Sequence, residues 1–212
     1  MLNGVMRGLL LLVICFLMCV KSTNAQSGGV YLAGGTAVDS SAGPVNTLGG
    51  GTVYNRPSLG GFFGTVGGDV RIWHGWGVGA EFVFKRNRDP YAGLSYRPEF
   101  YDVNAVYQPV RFSKGRLVPK FEGGFGRMVI RYYDTPQFCE SFFLGCKSLN
   151  GLVSQENYLQ FHFGAGVQYY IYKSVFVRPQ VDIHYAHNMV DFGTPVVPAF
   201  SVGIGYTFRR GR

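Results

Sequence analysis

Residues 158–171 read YLQFHFGAGVQYYI, and their alternation decides the fold. In an extended chain Leu159, Phe161, Phe163, Ala165, Val167, Tyr169 and Ile171 share one face, and Gln160, His162, Gly164, Gly166, Gln168 and Tyr170 share the other. A period of two is the mark of a β-strand whose two faces meet different surroundings. The pattern recurs downstream. Residues 175–186 set Val177, Pro179, Val181, Ile183 and Tyr185 against Arg178, Gln180, Asp182, His184 and Ala186. Residues 200–208 set Val202, Ile204, Tyr206 and Phe208 against Ser201, Gly203, Gly205 and Thr207. Upstream, similar segments lie near 29–37, 59–72, 76–86, 99–110 and 117–132, which brings the number of predicted strands to eight.

Composition points the same way. The 212 residues include 31 Gly, 14 Tyr and 18 Phe, and 15% are charged. Glycine is about twice its usual share and charge is well below the usual ~25%. That excludes a disordered polyampholyte, a coiled coil and an ordinary soluble helical domain. The amino terminus reads as a separate segment: Arg7, an apolar run over residues 9–20, then Lys21-Ser22-Thr23-Asn24-Ala25. This is the pattern of a secretory signal over residues 1–25, cut after Ala25 with Thr23 and Ala25 as the small residues. The run is shorter than the ~20 residues of a membrane-spanning helix. Cys19 lies inside it behind Leu17 and Met18, which does not suit a lipoprotein signal. The predicted domain is therefore residues 26–212. It holds no later helix-length apolar run, so any membrane crossing would be made by a barrel.

The connections between strands alternate in length. Short ones fall at Trp73-His74-Gly75, at residues 111–116 and at Lys173-Ser174. Long ones span about 38–58, 87–98, 133–157 and 187–199. Short turns at one end and long loops at the other are the habit of outer-membrane barrels, with both termini on the short-turn side. Strands of ten or more residues also match the ~9–11 needed for a tilted crossing.

Alternation alone does not say which face points inward. In a soluble ligand-binding barrel the apolar face would line the core. Here the other face carries Asp69, Arg71, Glu81, Lys85, Asp102, Lys120, Glu122, Arg178 and Asp182, with the pairs Gly77/Gly79, Gly124/Gly126, Gly164/Gly166 and Gly203/Gly205. Near-balanced acids and bases among small residues suit the inside of an eight-stranded barrel, which is only wide enough for side chains to fill. The fold class read from this is all-β, a transmembrane eight-stranded antiparallel up-and-down barrel. Aromatic girdles are expected from Trp73, Trp76, Tyr107, Tyr169 and Tyr172 near the short turns, and from Tyr31, Tyr101, Tyr132 and Tyr185 higher up. Arg127 falls in the lipid-facing register of its strand, where arginine costs ~2–4 kcal/mol at the midplane and ~0–1 at an interface. It is read as interfacial, with Arg131 above it; a bulge that turns it inward is the alternative.

Together with the signal and the eight strands, the end segment Gly203-Ile204-Gly205-Tyr206-Thr207-Phe208 resembles the small outer-membrane β-barrels of Gram-negative bacteria, the family of the OmpA transmembrane domain and OmpX. The resemblance implies an outer-membrane location. It also implies insertion by the barrel assembly machinery, with Gly205, Tyr206 and Phe208 in the assembly signal. Arg209-Arg210-Gly211-Arg212 depart from it, because the aromatic is usually terminal.

The chemistry-bearing residues are few. Cys139 and Cys146 share the third long loop, and an even count in an exported chain reads as one disulfide; free thiols or a metal pair are the alternative. Some small barrels of this kind deacylate lipid A with a His and a Ser two residues later. Here His184 is followed at that distance by Ala186, so no hydroxyl is available, and His187-Asn188-Met189 fails likewise. Hydrogen bonding in the lumen or at its rim is the expected use of His162, His184 and His187. The glycine-rich stretches at 49–51 and 64–68 lack the ending of a phosphate loop. No catalytic residue, cofactor or metal site is predicted. The inward charges read as a salt-bridged plug centred on Glu81, Lys120, Glu122 and Arg178, with a narrow pore as the alternative. Arg56, Lys85, Arg86, Arg88, Arg97, Arg127 and Arg131 lie toward the long-loop end, with Arg127 and Arg131 as candidate contacts to lipopolysaccharide phosphates. Expected partners are outer-membrane lipids and lipopolysaccharide rather than nucleic acid, for a monomer with a structural or surface-interaction role; a lipid-modifying outer-membrane enzyme or a narrow pore is the alternative.

Overall fold

Eight antiparallel strands close into a ring in the computed structural model, which describes residues 27–39, 44–46, 53–55, 57–91, 93–112, 115–134, 151–188 and 195–208. They are β1 (Gly28–Ala37), β2 (Gly61–Trp73), β3 (Trp76–Lys85), β4 (Leu94–Tyr107), β5 (Leu117–Asp134), β6 (Leu152–Tyr172), β7 (Val175–Ala186) and β8 (Val196–Phe208). Each pairs with its chain neighbour, and β1 closes the ring against β8, from Gly28 opposite Phe208 to Ala37 opposite Ala199. Closure leaves no unpaired edge in the ring.

The short connections follow from local chemistry. His74 and Gly75 both take positive φ, 47° and 89°, between the paired Trp73 and Trp76. A two-residue hairpin turn of this hand matches strand twist, and glycine adopts its second position without strain. Lys173, with φ 33°, turns β6 into β7. Between β4 and β5 the chain makes one 3-10 turn at Val110–Phe112.

At the other end the strands run further than hydropathy predicts. β5 continues to Asp134 and β6 begins at Leu152, so both ends of the 133–157 connection are strand. Likewise β4 begins at Leu94, and Asp89–Tyr91 folds back on it, pairing Asp89 with Tyr96 and Tyr91 with Leu94. The reason is physical. Above an apolar environment both strand faces meet water, so backbone pairing persists while the alternation that reveals it disappears.

Burial separates the two faces. Val30, Leu32, Phe62, Val66, Val103, Phe121, Phe125, Phe163, Val202 and Ile204 all point outward and are exposed. An uninterrupted apolar belt of this extent is far larger than a soluble monomer normally shows. Inside, Leu59, Phe63, Tyr96, Phe100, Met128 and Ile130 pack at the long-loop end, and Tyr31, Val118, Tyr170 and Phe176 toward the short-turn end. The rest of the lumen is polar. Two expected girdle residues are corrected here: Tyr31 and Tyr132 are buried inside. Height along the strand suggested the girdle, but Tyr31 shares parity with Gly29 and Ala33, and Tyr132 with Met128 and Ile130. Trp73, Trp76, Tyr101, Tyr169, Tyr172 and Tyr185 are exposed.

Candidate functional site: the polar lumen

Glycine and bulk alternate across the lumen. Tyr31 lies directly opposite Gly67 on β2, and a Cβ added to Gly67 would fall 2.2 Å from its hydroxyl oxygen. Gly164 is filled in the same way, by Glu122 and Asp182. Inward glycines thus let long polar side chains from neighbouring strands reach the axis of a narrow barrel.

Those side chains form a continuous chain of contacts. Lys120 on β5, 2% exposed, places Nζ 2.9 Å from Asp69 Oδ1 on β2 and 3.0 Å from Glu122 Oε2. Gln180 on β7 donates from Nε2 to Glu122 Oε1 and to Asp182 Oδ1 at 2.6 Å. Asp182 Oδ1 lies 3.0 Å from His162 Nε2 on β6, and His162 Nδ1 lies 3.2 Å from Asn104 Oδ1 on β4. Gln160 donates to Asp102 Oδ1. His184 stacks on His162 with ring centroids 4.6 Å apart and planes 9° from parallel, its Nδ1 4.0 Å from Asp102 Oδ2. Toward the short-turn end Gln108, Gln168, Tyr170 and Thr207 continue the hydrogen bonding.

Arg178, also 2% exposed, makes no close ion pair among the described residues. Its guanidinium sits over the Tyr31 ring, 3.5 Å from the centroid, and Lys120 Nζ lies 5.3 Å from the same ring. Cations over aromatic faces gain ~2 kcal/mol or more when desolvated. Glu81 on β3 is 8% exposed, and its Oε2 has no hydrogen-bond partner among the described residues.

Two of the inward charges stand apart from this chain. Lys85, the last residue of β3, pairs with Asp89 and donates to the Gly60 carbonyl at 2.6 Å, beyond the apolar cluster. Arg71 is half-buried near the Trp73 turn. The amides of Asn104, Gln160 and Gln180 are lumen members that charge counting overlooked; their inward parity was the available signal. His184 is fully enclosed beside buried Ala186, and exposed His187 lies past the strand end, so the two do not form one cluster.

On the outer face at the long-loop end, Glu99 is 3% exposed because Arg97, Arg131 and the Tyr101 hydroxyl surround it. Arg88 stacks over Tyr133, 3.6 Å from the centroid. Arg127 points outward and is exposed, opposite Tyr101 and Leu159. Pairing of β5 with β6 is regular from Leu117 to Tyr132 and shifts only between Tyr132 and Tyr133, so no bulge turns Arg127 inward. At the carboxyl end Tyr206 and Phe208 point outward edge to face, 5.1 Å apart, and Gly205 lies beneath Phe176. The signal segment, Arg56, Cys139, Cys146 and residues 209–212 lie outside the described residues.

Residues 8–208 match the outer membrane protein beta-barrel domain family. The fold is similar to that of Neisserial surface protein A, NspA, with a TM-score of 0.56 at 14% identity over 86% of this chain and 97% of that one. It is similar also to a major outer membrane protein from Thermus thermophilus, with a TM-score of 0.51 at 14% identity over 87% of this chain and 100% of that one. No curated protein sequence matches the chain.

Proposed function

Because the chain belongs to the outer membrane protein beta-barrel family, its exposed apolar belt is a lipid-facing surface, and we propose that it works at the cell surface through its rim and long loops. One observation carries this reading. The lumen is crossed by buried side chains in contact from Asp69 to Asp102, bonded as far as His162 and Asn104 and carried on to Asp102 by the stacked His184, so the working surface is the outer rim. In this reading the protein is a monomer of the Gram-negative outer membrane, exported by residues 1–25 and inserted by the barrel assembly machinery through Gly205, Tyr206 and Phe208. Both termini are periplasmic and the long loops extracellular, the third tied by a Cys139–Cys146 disulfide. It is a structural or surface-interaction protein and not an enzyme: no hydroxyl stands two residues beyond His184.

The partner chemistry is phosphate on the outer leaflet. Arg127 and Arg131 project from one outward face of β5, and arginine suits phosphate through paired, charge-assisted hydrogen bonds. The test is the lipopolysaccharide that stays with the protein through purification in mild detergent. Arg127→Ala together with Arg131→Ala is expected to lower it several-fold while the barrel remains folded, since Arg97 still neutralises Glu99. An unchanged ratio of lipopolysaccharide to protein counts against the reading.

A further inference from the structure

We infer that the lumen binds a divalent transition-metal cation between Glu81, Glu122 and His162. These residues come from three strands, β3, β5 and β6, and are all buried. One ligand atom from each lies within 4.8 Å of the other two, so that small side-chain shifts bring all three to the ~2.0–2.2 Å reach of one cation.

Three further observations point to a cation there. The first is Glu81 Oε2, buried and without a hydrogen-bond partner among the described residues. An unpaired buried carboxylate is costly. The second is the imidazole of His162, whose two nitrogens both face oxygen, Asp182 Oδ1 at 3.0 Å and Asn104 Oδ1 at 3.2 Å. A neutral ring donates to one of them and leaves a lone pair on the other nitrogen. With Nδ1 held by the Asn104 oxygen, Nε2 would exchange its Asp182 contact for the ion, which gives the arrangement of a metal-bound histidine, one nitrogen on the metal and the other donating to a carbonyl. The third is charge. Asp69, Glu81, Asp102, Glu122 and Asp182 are all buried, while among the described residues Lys120 and Arg178 are the permanent cations buried beside them. Lys85 is engaged by Asp89 and Arg71 stands at the rim. A divalent ion removes most of that excess of negative charge at the place where it concentrates.

The donor chemistry fits. A cavity of about 30 Å³ borders the site on the Glu81 side, lined there by Asp182 and His184 but not by Glu122 or His162, and is large enough for one water beside Glu81. One imidazole with two carboxylates suits Zn²⁺ and its first-row neighbours; Ca²⁺ and Mg²⁺ favour oxygen alone. Bound there, the ion would tie three strands together inside the polar plug.

The experiment refolds the full chain in detergent after EDTA treatment, with Zn²⁺ or Co²⁺ present while the lumen closes. Expected are one equivalent of Zn²⁺ per chain, a Co²⁺ absorption spectrum unlike that of the hydrated ion, and a rise of several degrees in Tm with saturating Zn²⁺. Glu81→Gln and His162→Gln should each weaken binding at least 100-fold, while His74→Gln and His187→Gln, at exposed histidines, leave it unchanged. Glu81→Gln keeps the test meaningful if folding suffers elsewhere. In EDTA it should melt no lower than the wild type, because it removes an unpaired buried charge, and only the wild type should gain with Zn²⁺. Binding that vanishes with His74 and His187, or that survives Glu81→Gln and His162→Gln, overturns the inference, as does a lumen neutralised by protons that takes up no Zn²⁺.

Discussion

Lys120→Met should destabilise the barrel by about 3–5 kcal/mol, the loss that follows when one partner of a buried ion pair is removed. Lys120 lies between Asp69 and Glu122 at hydrogen-bonding distance from both. Among the described residues no other lysine or arginine makes an ion pair with either of them. Its removal strands two carboxylates in a closed lumen, where neither reaches water. The urea midpoint of the purified barrel in detergent reads the loss directly. Neutralising the partners as well, with Asp69→Asn and Glu122→Gln beside Lys120→Met, should recover most of it, because the cost is the unpaired charge rather than the missing attraction. A loss below about 1 kcal/mol would be that of a solvated surface pair and would mean the lumen is wet.

The second large effect comes from the smallest residue. Gly67→Val should cost about 3 kcal/mol, in the upper range for inserting bulk into a packed core. The new Cβ would fall 2.2 Å from the Tyr31 hydroxyl oxygen and 2.3 Å from the adjoining ring carbon, so the whole ring must move. Tyr31 is the surface on which the Arg178 guanidinium rests, 3.5 Å from the ring centroid. Packing and the cation–aromatic contact are therefore lost together. Tyr31→Ala alone should also destabilise, but in the Gly67→Val background it should cost little, since the clash is already relieved. Equal effects of Tyr31→Ala in both backgrounds, measured as a double-mutant cycle, would mean that the two sites are independent.

The ring of eight strands was legible because alternation persists wherever one face meets apolar surroundings and the other does not. Residues 158–171 carry it without interruption. It failed where that asymmetry ends. Ser154, Gln155, Glu156 and Asn157 belong to β6, yet nothing in their hydropathy separates them from a loop. Parity also assigned faces better than height did, as Tyr31 and Tyr132 show. What the sequence could not reveal is pairing across the barrel. Lys120 meets Asp69 from a strand three places along the ring, and Arg178 rests on a tyrosine rather than a carboxylate. Strand tilt and register decide such neighbours, and no local pattern encodes them. The stacking of His162 on His184 follows from the register that sets them opposite each other on β6 and β7.

The filled lumen is the premise on which the surface role stands, and conductance tests it most directly. Purified protein reconstituted in planar bilayers should pass no steady current, because packed polar side chains from Asp69 through His162 and His184 to Asp102 occupy the interior. Steady ohmic single-channel steps from the wild-type protein would contradict the account and make the lumen, not the rim, the working part of the molecule.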